Sequence, residues 1–289
     1  MGETGNAPGA EPEEGMPMGN RIAAPIAIGA IMTISIWSFG CSNGTGGKSD
    51  GSGHAQKEEG HKGSAAWSYA GPTGPENWGS LSAESAACSD GRMQSPIDIV
   101  DALPAKGPDL VFDYKPSPLK IVNNGHTVQV NYGSGSGLTV AGRLFKLLQF
   151  HFHAPSEHAI AGSRTPMEVH FVHADADGSL AVVGVMMQAG SQNDPLAPVF
   201  ANMPEEAGPE VEVADTTIDA SAMLPSEAGA YSHYKGSLTT PPCSEGVNWF
   251  VMAKAIEVSA EQIGKFEGIA SPSARPLQGL HDRLLIGTP

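Results

Sequence analysis

Gln149-Phe150-His151-Phe152-His153 is the stretch on which the fold turns. Successive side chains of a β-strand point to opposite faces, so His151 and His153 share one face and Phe150 and Phe152 the other. The aromatic pair predicts a core on one side. The imidazole pair predicts a polar or metal-bearing surface on the other. Downstream, Glu168-Val169-His170-Phe171-Val172-His173 alternates in the same way, with Glu168, His170 and Val172 in one phase. As an antiparallel neighbour, this segment would set His170 beside His151 and His153. Three imidazoles on one sheet face are the ligand set that zinc takes where a fourth position stays open. A His-x-His pair alone packs or hydrogen-bonds as readily as it binds metal. A second histidine-bearing strand in matching phase moves the reading toward metal.

Outward from this stretch the patterning is that of strands. Leu119-Lys120-Ile121-Val122 reads as one, ending at the turn residues Asn123-Asn124-Gly125. His126-Thr127-Val128-Gln129-Val130 alternates as another, with His126, Val128 and Val130 assigned to one face. Segments 138–140, 144–153, 170–173, 179–188, 210–213 and 246–253 follow, the 170–173 and 179–188 runs being the most apolar and therefore central. Segment 238–242 is a Thr- and Pro-rich loop. A short helix is expected around 195–203, and the clearest helix spans 259–268, with Ser259 as N-cap and Gln262 completing a capping box. Segment 67–92 is an irregular lead-in dominated by turn residues. The expected class is mainly β: one domain built on a large, mostly antiparallel sheet with short peripheral helices.

Composition sets the outer limits. The net charge is −15 and no Lys/Arg cluster stands out, which excludes the basic footprint of a nucleic-acid binder. Residues 1–20 are rich in Gly, Glu and Pro, and residues 22–40 carry no charge, include Pro25 and run directly into Cys41. That apolar run can serve as a secretory signal, as a membrane anchor, or as a lipoprotein signal with Cys41 acylated. Ser38-Phe39-Gly40-Cys41 favours the lipoprotein reading. The expected organisation is therefore an export signal region over 1–41, a flexible Gly/Ser-rich tether over 42–65 and a folded domain over 66–289. The protein is expected to be exported, periplasmic or at the cell surface. Of the three cysteines, Cys88 and Cys243 lie in the folded part. In an exported protein they are expected to form one disulfide, the alternative being two unpaired buried thiols.

Six segments, in order, resemble the α-class carbonic anhydrases. They are Gln94-Ser95-Pro96-Ile97-Asp98, Asn123-Asn124-Gly125-His126, Gln149-Phe150-His151-Phe152-His153, Ser156-Glu157-His158, Glu168-Val169-His170 and Gly236-Ser237-Leu238-Thr239-Thr240-Pro241-Pro242. The resemblance runs from about Trp67 to Arg283, and the bacterial, disulfide-bearing members are most similar, through Cys88 and the Cys243 stretch. It implies a twisted sheet of roughly ten strands with a conical cavity. It also implies zinc-dependent, reversible hydration of CO2 to bicarbonate and a proton, by attack of zinc-bound hydroxide.

Residue by residue, the resemblance implies zinc on His151, His153 and His170, with Gln149 accepting from His151 and Glu168 from His170. The acceptor for His153 should be a backbone carbonyl near the C-terminal segment; it stays unassigned, because this chain has Pro272-Ser273-Ala274-Arg275-Pro276 where the family often has an Asn. Thr239 would accept from the zinc hydroxide and donate to Glu157. Val172, Val182, Leu238, Thr240, Val247 and Trp249 would form the substrate pocket. His126 would shuttle protons, and Tyr69, Asn124 and Gln129 would hold the relaying waters. Inhibition by sulfonamides and anions, membrane attachment through the N-terminus and a homodimer are the further partner expectations. Two other readings compete: a catalytically inactive surface-binding module of the same fold, and a different zinc hydrolase. Retention of all three histidines with Thr239, Glu157 and His126 argues against the first. The absence of any recognisable peptide or phosphate site beside the triad argues against the second.

Overall fold

The structure is a computed structural model and describes residues 67–288; the expectations for 1–41, including Cys41, and for 42–65 fall outside them. The described residues form a 13-stranded sheet, a two-stranded companion and short helices. Across the main sheet the order is Val211–Ile218, Ser117–Asn123, Val128–Asn131, Arg143–His153, Met167–Ala174, Leu180–Ala189, Glu245–Met252, Tyr231–Ser237, Ile286–Gly287 and Leu103–Pro104. Most neighbours are antiparallel. Leu180–Ala189 runs parallel to Glu245–Met252 and to Ile256–Val258, and Ile286–Gly287 runs parallel to Leu103–Pro104.

The two histidine strands are direct antiparallel neighbours. Their register sets His151 opposite His170, Phe150 opposite Phe171 and His153 opposite Glu168. The Phe face is the core face: Phe150, Phe152 and Phe171 are fully buried with Val128, Val130, Val183 and Val185. Removing one such side chain from water contributes about 1.5–3 kcal/mol, so a one-residue slip of register would be costly. The imidazole face is covered by a second, smaller cluster that includes Val182, Val247, Trp249 and Tyr234. The helix Ala260–Ala270 carries the expected capping box, with Ser259 Oγ accepting from Gln262 N. It buries Ile263 and Phe266 against the core.

Two expectations are corrected. His126 does not share a face with Val128 and Val130. Asn124 Oδ1 accepts from the backbone N–H of both His126 and Thr127, and Gly125 is left-handed at φ 86°. This turn delays the strand to Val128 and carries His126 round to the cavity side. Tyr231–Ser237 is a full strand that the patterning did not reveal, because partly exposed and buried positions follow no period of two along it.

Candidate metal centre and active site

A cavity of about 180 Å³ opens on the imidazole face and is lined by His151, His153, His170, Thr239, Thr240 and Trp249, among others. A larger groove of about 920 Å³ lies elsewhere, between the 102–110 segment and Tyr231, and no histidine lines it. Within the small cavity the three predicted ligands offer ring nitrogens within 4.8 Å of one another.

Each ring turns one nitrogen toward an acceptor behind it. His151 Nδ1 is 2.8 Å from Gln149 Oε1, whose only hydrogen-bonding role is acceptance. His153 Nδ1 donates to the carbonyl of Ser273, the backbone acceptor left open above. His170 Nε2 lies 2.9 Å from Glu168 Oε1. With those nitrogens protonated, His151 Nε2, His153 Nε2 and His170 Nδ1 keep their lone pairs for the cavity. His153 Nε2 is buried without a hydrogen-bond partner. An orphaned buried nitrogen costs free energy unless something accepts its lone pair, so the donor set fits a metal ion. Burial and the neighbouring imidazoles hold His151 well below its usual pKa, and burial likewise lowers His153. Both are therefore neutral ligands at pH 7. Burial opposes charge on His170 too, but Glu168 outweighs it and raises that imidazole.

Glu168 is fully buried, which disfavours its charge, yet His158 and His170 hold it well below the usual carboxylate range. Its Oε2 accepts from the backbone N–H of Glu157 and His158, each at 2.9 Å. Gly184 sits opposite His170 in the next strand, and a Cβ there would stand 2.7 Å from Glu168 Oε1. Only glycine leaves room for this carboxylate.

Glu157 is also fully buried. Its Oε1 accepts from Arg275 N at 2.9 Å, while Oε2 has no partner and lies 3.5 Å from His153 Nε2. The Thr239–Glu157 hydrogen bond expected by resemblance is therefore not formed. The free oxygen leans toward the imidazoles instead, and Thr239 stands on the cavity wall in the loop between Tyr231–Ser237 and Glu245–Met252. That loop is closed by Leu238 N to Ser244 O and Cys243 N to Thr240 O. It is tied down by the Cys88–Cys243 disulfide, which is formed.

The remaining expected residues divide. Val172, Val182, Leu238, Thr240 and Trp249 line the cavity, as do Tyr69, Asn124, Gln129 and His126. Val247 does not; it is buried behind the wall, packed with Val182 and Trp249. His126 stacks on Trp67, ring centroids 3.6 Å apart, and burial lowers its pKa from 6.5.

Sequence reasoning assigned no role to two residues that hold the site, Ser273 and Arg275. Ser273 not only accepts from His153 but accepts Ala154 N on its hydroxyl. Arg275 is buried and donates to Gln94 Oε1, Ser95 O and Cys88 O, each at 2.8 Å, with its guanidinium over Trp78. Burial lowers its pKa to about 10 against the pull of Glu157, so it stays charged at neutral pH.

The model of the eukaryotic-type carbonic anhydrases matches residues 73–285. A carbonic anhydrase of Nostoc sp. is 47% identical over 225 residues, covering 76% of this chain and 85% of its own. One of Neisseria gonorrhoeae is 44% identical over 222 residues, covering 76% and 87%. Among solved structures, the α-carbonic anhydrase of Thermovibrio ammonificans in complex with the inhibitor sulfanilamide superposes with a TM-score of 0.75 at 44% identity. The match covers 78% of this chain and all of that one.

Proposed function

The chain belongs to the eukaryotic-type carbonic anhydrase family, and from that membership we propose that His151, His153 and His170 hold zinc for the hydration of CO2. The observation that carries this reading is the convergence of three ring nitrogens whose lone pairs are left free by the partners behind them. Bound there, zinc supplies a Lewis acid that brings a coordinated water to a pKa of about 7, the established behaviour of this enzyme class.

The chain's own groups do the rest. Val172, Val182, Leu238 and Trp249 give an apolar wall suited to an uncharged, weakly polar substrate. Glu157 Oε2, buried and unpartnered, is the acceptor available to a hydroxyl donor. Thr239 fills that role by a modest side-chain adjustment, and its oxygen then accepts from the nucleophile and orients it. The released proton passes along the wall bearing Gln129, Asn124 and Tyr69 to His126. The lowered pKa of His126 favours handing the proton on to buffer at neutral pH. The inactive-module reading has no observation of its own in its favour. The disulfide supports export to an oxidising compartment, and lipid attachment at Cys41 completes this proposal.

The test is stopped-flow CO2 hydration on the purified protein, with zinc content and sulfonamide inhibition determined on the same sample. Fast, sulfonamide-sensitive hydration with about one zinc per chain is expected. A folded sample that takes up no zinc would overturn the reading.

A further inference from the structure

The strand Val128–Asn131 sets Gln129 beside His151 and Asn131 beside Gln149, on the imidazole face of the sheet. Gln129 lines the cavity, whereas Asn131 and Glu210 stand outside it. Gln129 Nε2 donates to Asn131 Oδ1 at 2.6 Å, and Asn131 Nδ2 donates to Glu210 Oε2. The two bonds make a short line from the cavity wall to an exposed carboxylate.

Glu210 is held there by its own segment. Asn123 Nδ2 donates to the carbonyls of Pro204, at 3.1 Å, and Glu205, at 3.4 Å. Gly208 N donates to Asn123 O at 3.0 Å, and Val211 pairs with Ile121. Segment 204–211 thus docks on the Asn123-Asn124-Gly125 turn that precedes His126 and brings Glu210 to Asn131.

The oxygen and nitrogen of a side-chain amide are alike in size and shape, so packing does not choose between its two orientations. A partner of fixed role has to choose. A carboxylate can only accept, so Glu210 draws Asn131 Nδ2 to itself. Asn131 Oδ1 is then turned to Gln129 and calls for Gln129 Nε2. Gln129 Oε1 is the end left to the cavity. Among the described residues neither amide has another side-chain partner, so the order of the line is set from Glu210.

We propose that Glu210 is a positioning residue for proton export: through Asn131 it turns the carbonyl oxygen of Gln129 toward the cavity, where that oxygen accepts from the waters that carry the proton to His126. This deepens the relay reading given above and rests on it. With the amide reversed, two N–H donors stand where an acceptor stood, and a water on that wall is turned away from the direction in which its proton has to pass. Hydrogen bonds coupled in a line transmit the loss of one member to the next.

The test has two arms. Neutron diffraction on crystals of the folded wild-type protein locates the amide deuterons, and those of Gln129 are expected on the Asn131 side. Deuterons of Gln129 pointing into the cavity would overturn the proposal even if no variant folds. The second arm is CO2 hydration in weak buffer, wild type against Glu210→Ala and Asn131→Asp/Glu210→Lys. Proton export follows hydration, so it enters kcat and leaves kcat/KM unchanged. Without an acceptor at position 210 the two orientations divide about equally, and kcat of Glu210→Ala should fall about twofold. The double variant has the same summed charge at the two positions as Glu210→Ala, but its new carboxylate at position 131 accepts from Gln129 directly, so kcat should return to the wild-type value. A wild-type kcat in Glu210→Ala, an equal loss in both variants, or parallel losses of kcat and kcat/KM would each overturn the proposal. A wild-type protein that does not hydrate CO2 would instead count against the zinc reading above, and the neutron arm would still decide the orientation of Gln129.

Discussion

Removing the Cys88–Cys243 bond should destabilise the folded domain far more than it disturbs the active site. The bond closes a sequence separation of 155 residues. In the chain-entropy account, a cross-link over that span removes roughly 5 kcal/mol of conformational freedom from the unfolded chain, and losses of native disulfides generally fall at about 2–5 kcal/mol. For a domain of roughly this size, 1 kcal/mol corresponds to about 2–4 °C in Tm, so a loss of about 5–15 °C is expected. The folded geometry should survive, because other contacts hold both half-cystines. Cys88 O accepts from Arg275 Nη2 at 2.8 Å, Cys243 O accepts from Gln94 Nε2 at 3.1 Å, and both sulfurs pack beside Trp78. Calorimetry with and without a phosphine reductant, and on Cys88→Ser/Cys243→Ser, measures the shift. Hydration at 25 °C on the same samples should stay near wild type. A Tm change below about 2 °C, or two titratable thiols in denaturant before any reductant is added, would refute the reasoning.

Three further outcomes are expected. His173 is fully buried between Tyr114 Oη and the Ala181 carbonyl, and burial lowers its pKa to about 4. Its contribution is intact above pH 6.5 and is lost as pH falls toward 4, where only the unfolded chain takes the proton, at a cost of about 3 kcal/mol; denaturant midpoints for wild type and His173→Gln between pH 7 and pH 4.5 should diverge, and parallel curves would exclude it. His126→Ala should slow turnover in weak buffer and be rescued by imidazole, and an unchanged rate would mean that protons leave by another route. Gly184→Ala should push Glu168 off His170, since the new Cβ falls 2.7 Å from Oε1; zinc affinity is expected to fall at least tenfold, and retention of wild-type affinity would show that the close approach is not needed.

Period-two alternation was enough to place Phe150 and Phe152 in the core and His151 and His153 on the opposite face. It also predicted that His170 would stand beside them, which the register confirms. The same rule failed at His126, where Asn124 accepts from two successive backbone N–H groups and turns the chain before the strand begins. It failed again over Tyr231–Ser237. There the inward positions carry Tyr234 and Ser237, whose buried hydroxyls find partners in Ser95 and His158: Tyr234 Oη meets Ser95 Oγ and His158 Nε2, and Ser237 Oγ accepts from Ser95 N. Local hydropathy cannot distinguish a satisfied buried hydroxyl from an exposed one.

The division has a physical origin that extends to the whole site. The three imidazoles that face the cavity are set by strand geometry, a property of a few consecutive residues. Residues that orient them are set by hydrogen bonds between segments distant in sequence. The Ser273 carbonyl on His153 is 120 residues away, the Arg275 amide on Glu157 118, and the Arg275 guanidinium on Gln94 181. Nothing local to Ser273 marks its carbonyl as an acceptor, because any residue type provides one. The choice of serine shows only in its hydroxyl, which takes Ala154 N and so grips the end of the histidine strand a second time. A ligand can thus be read from its own strand. Its tautomer, and with it the direction of its lone pair, depends on a partner that only the folded chain brings near.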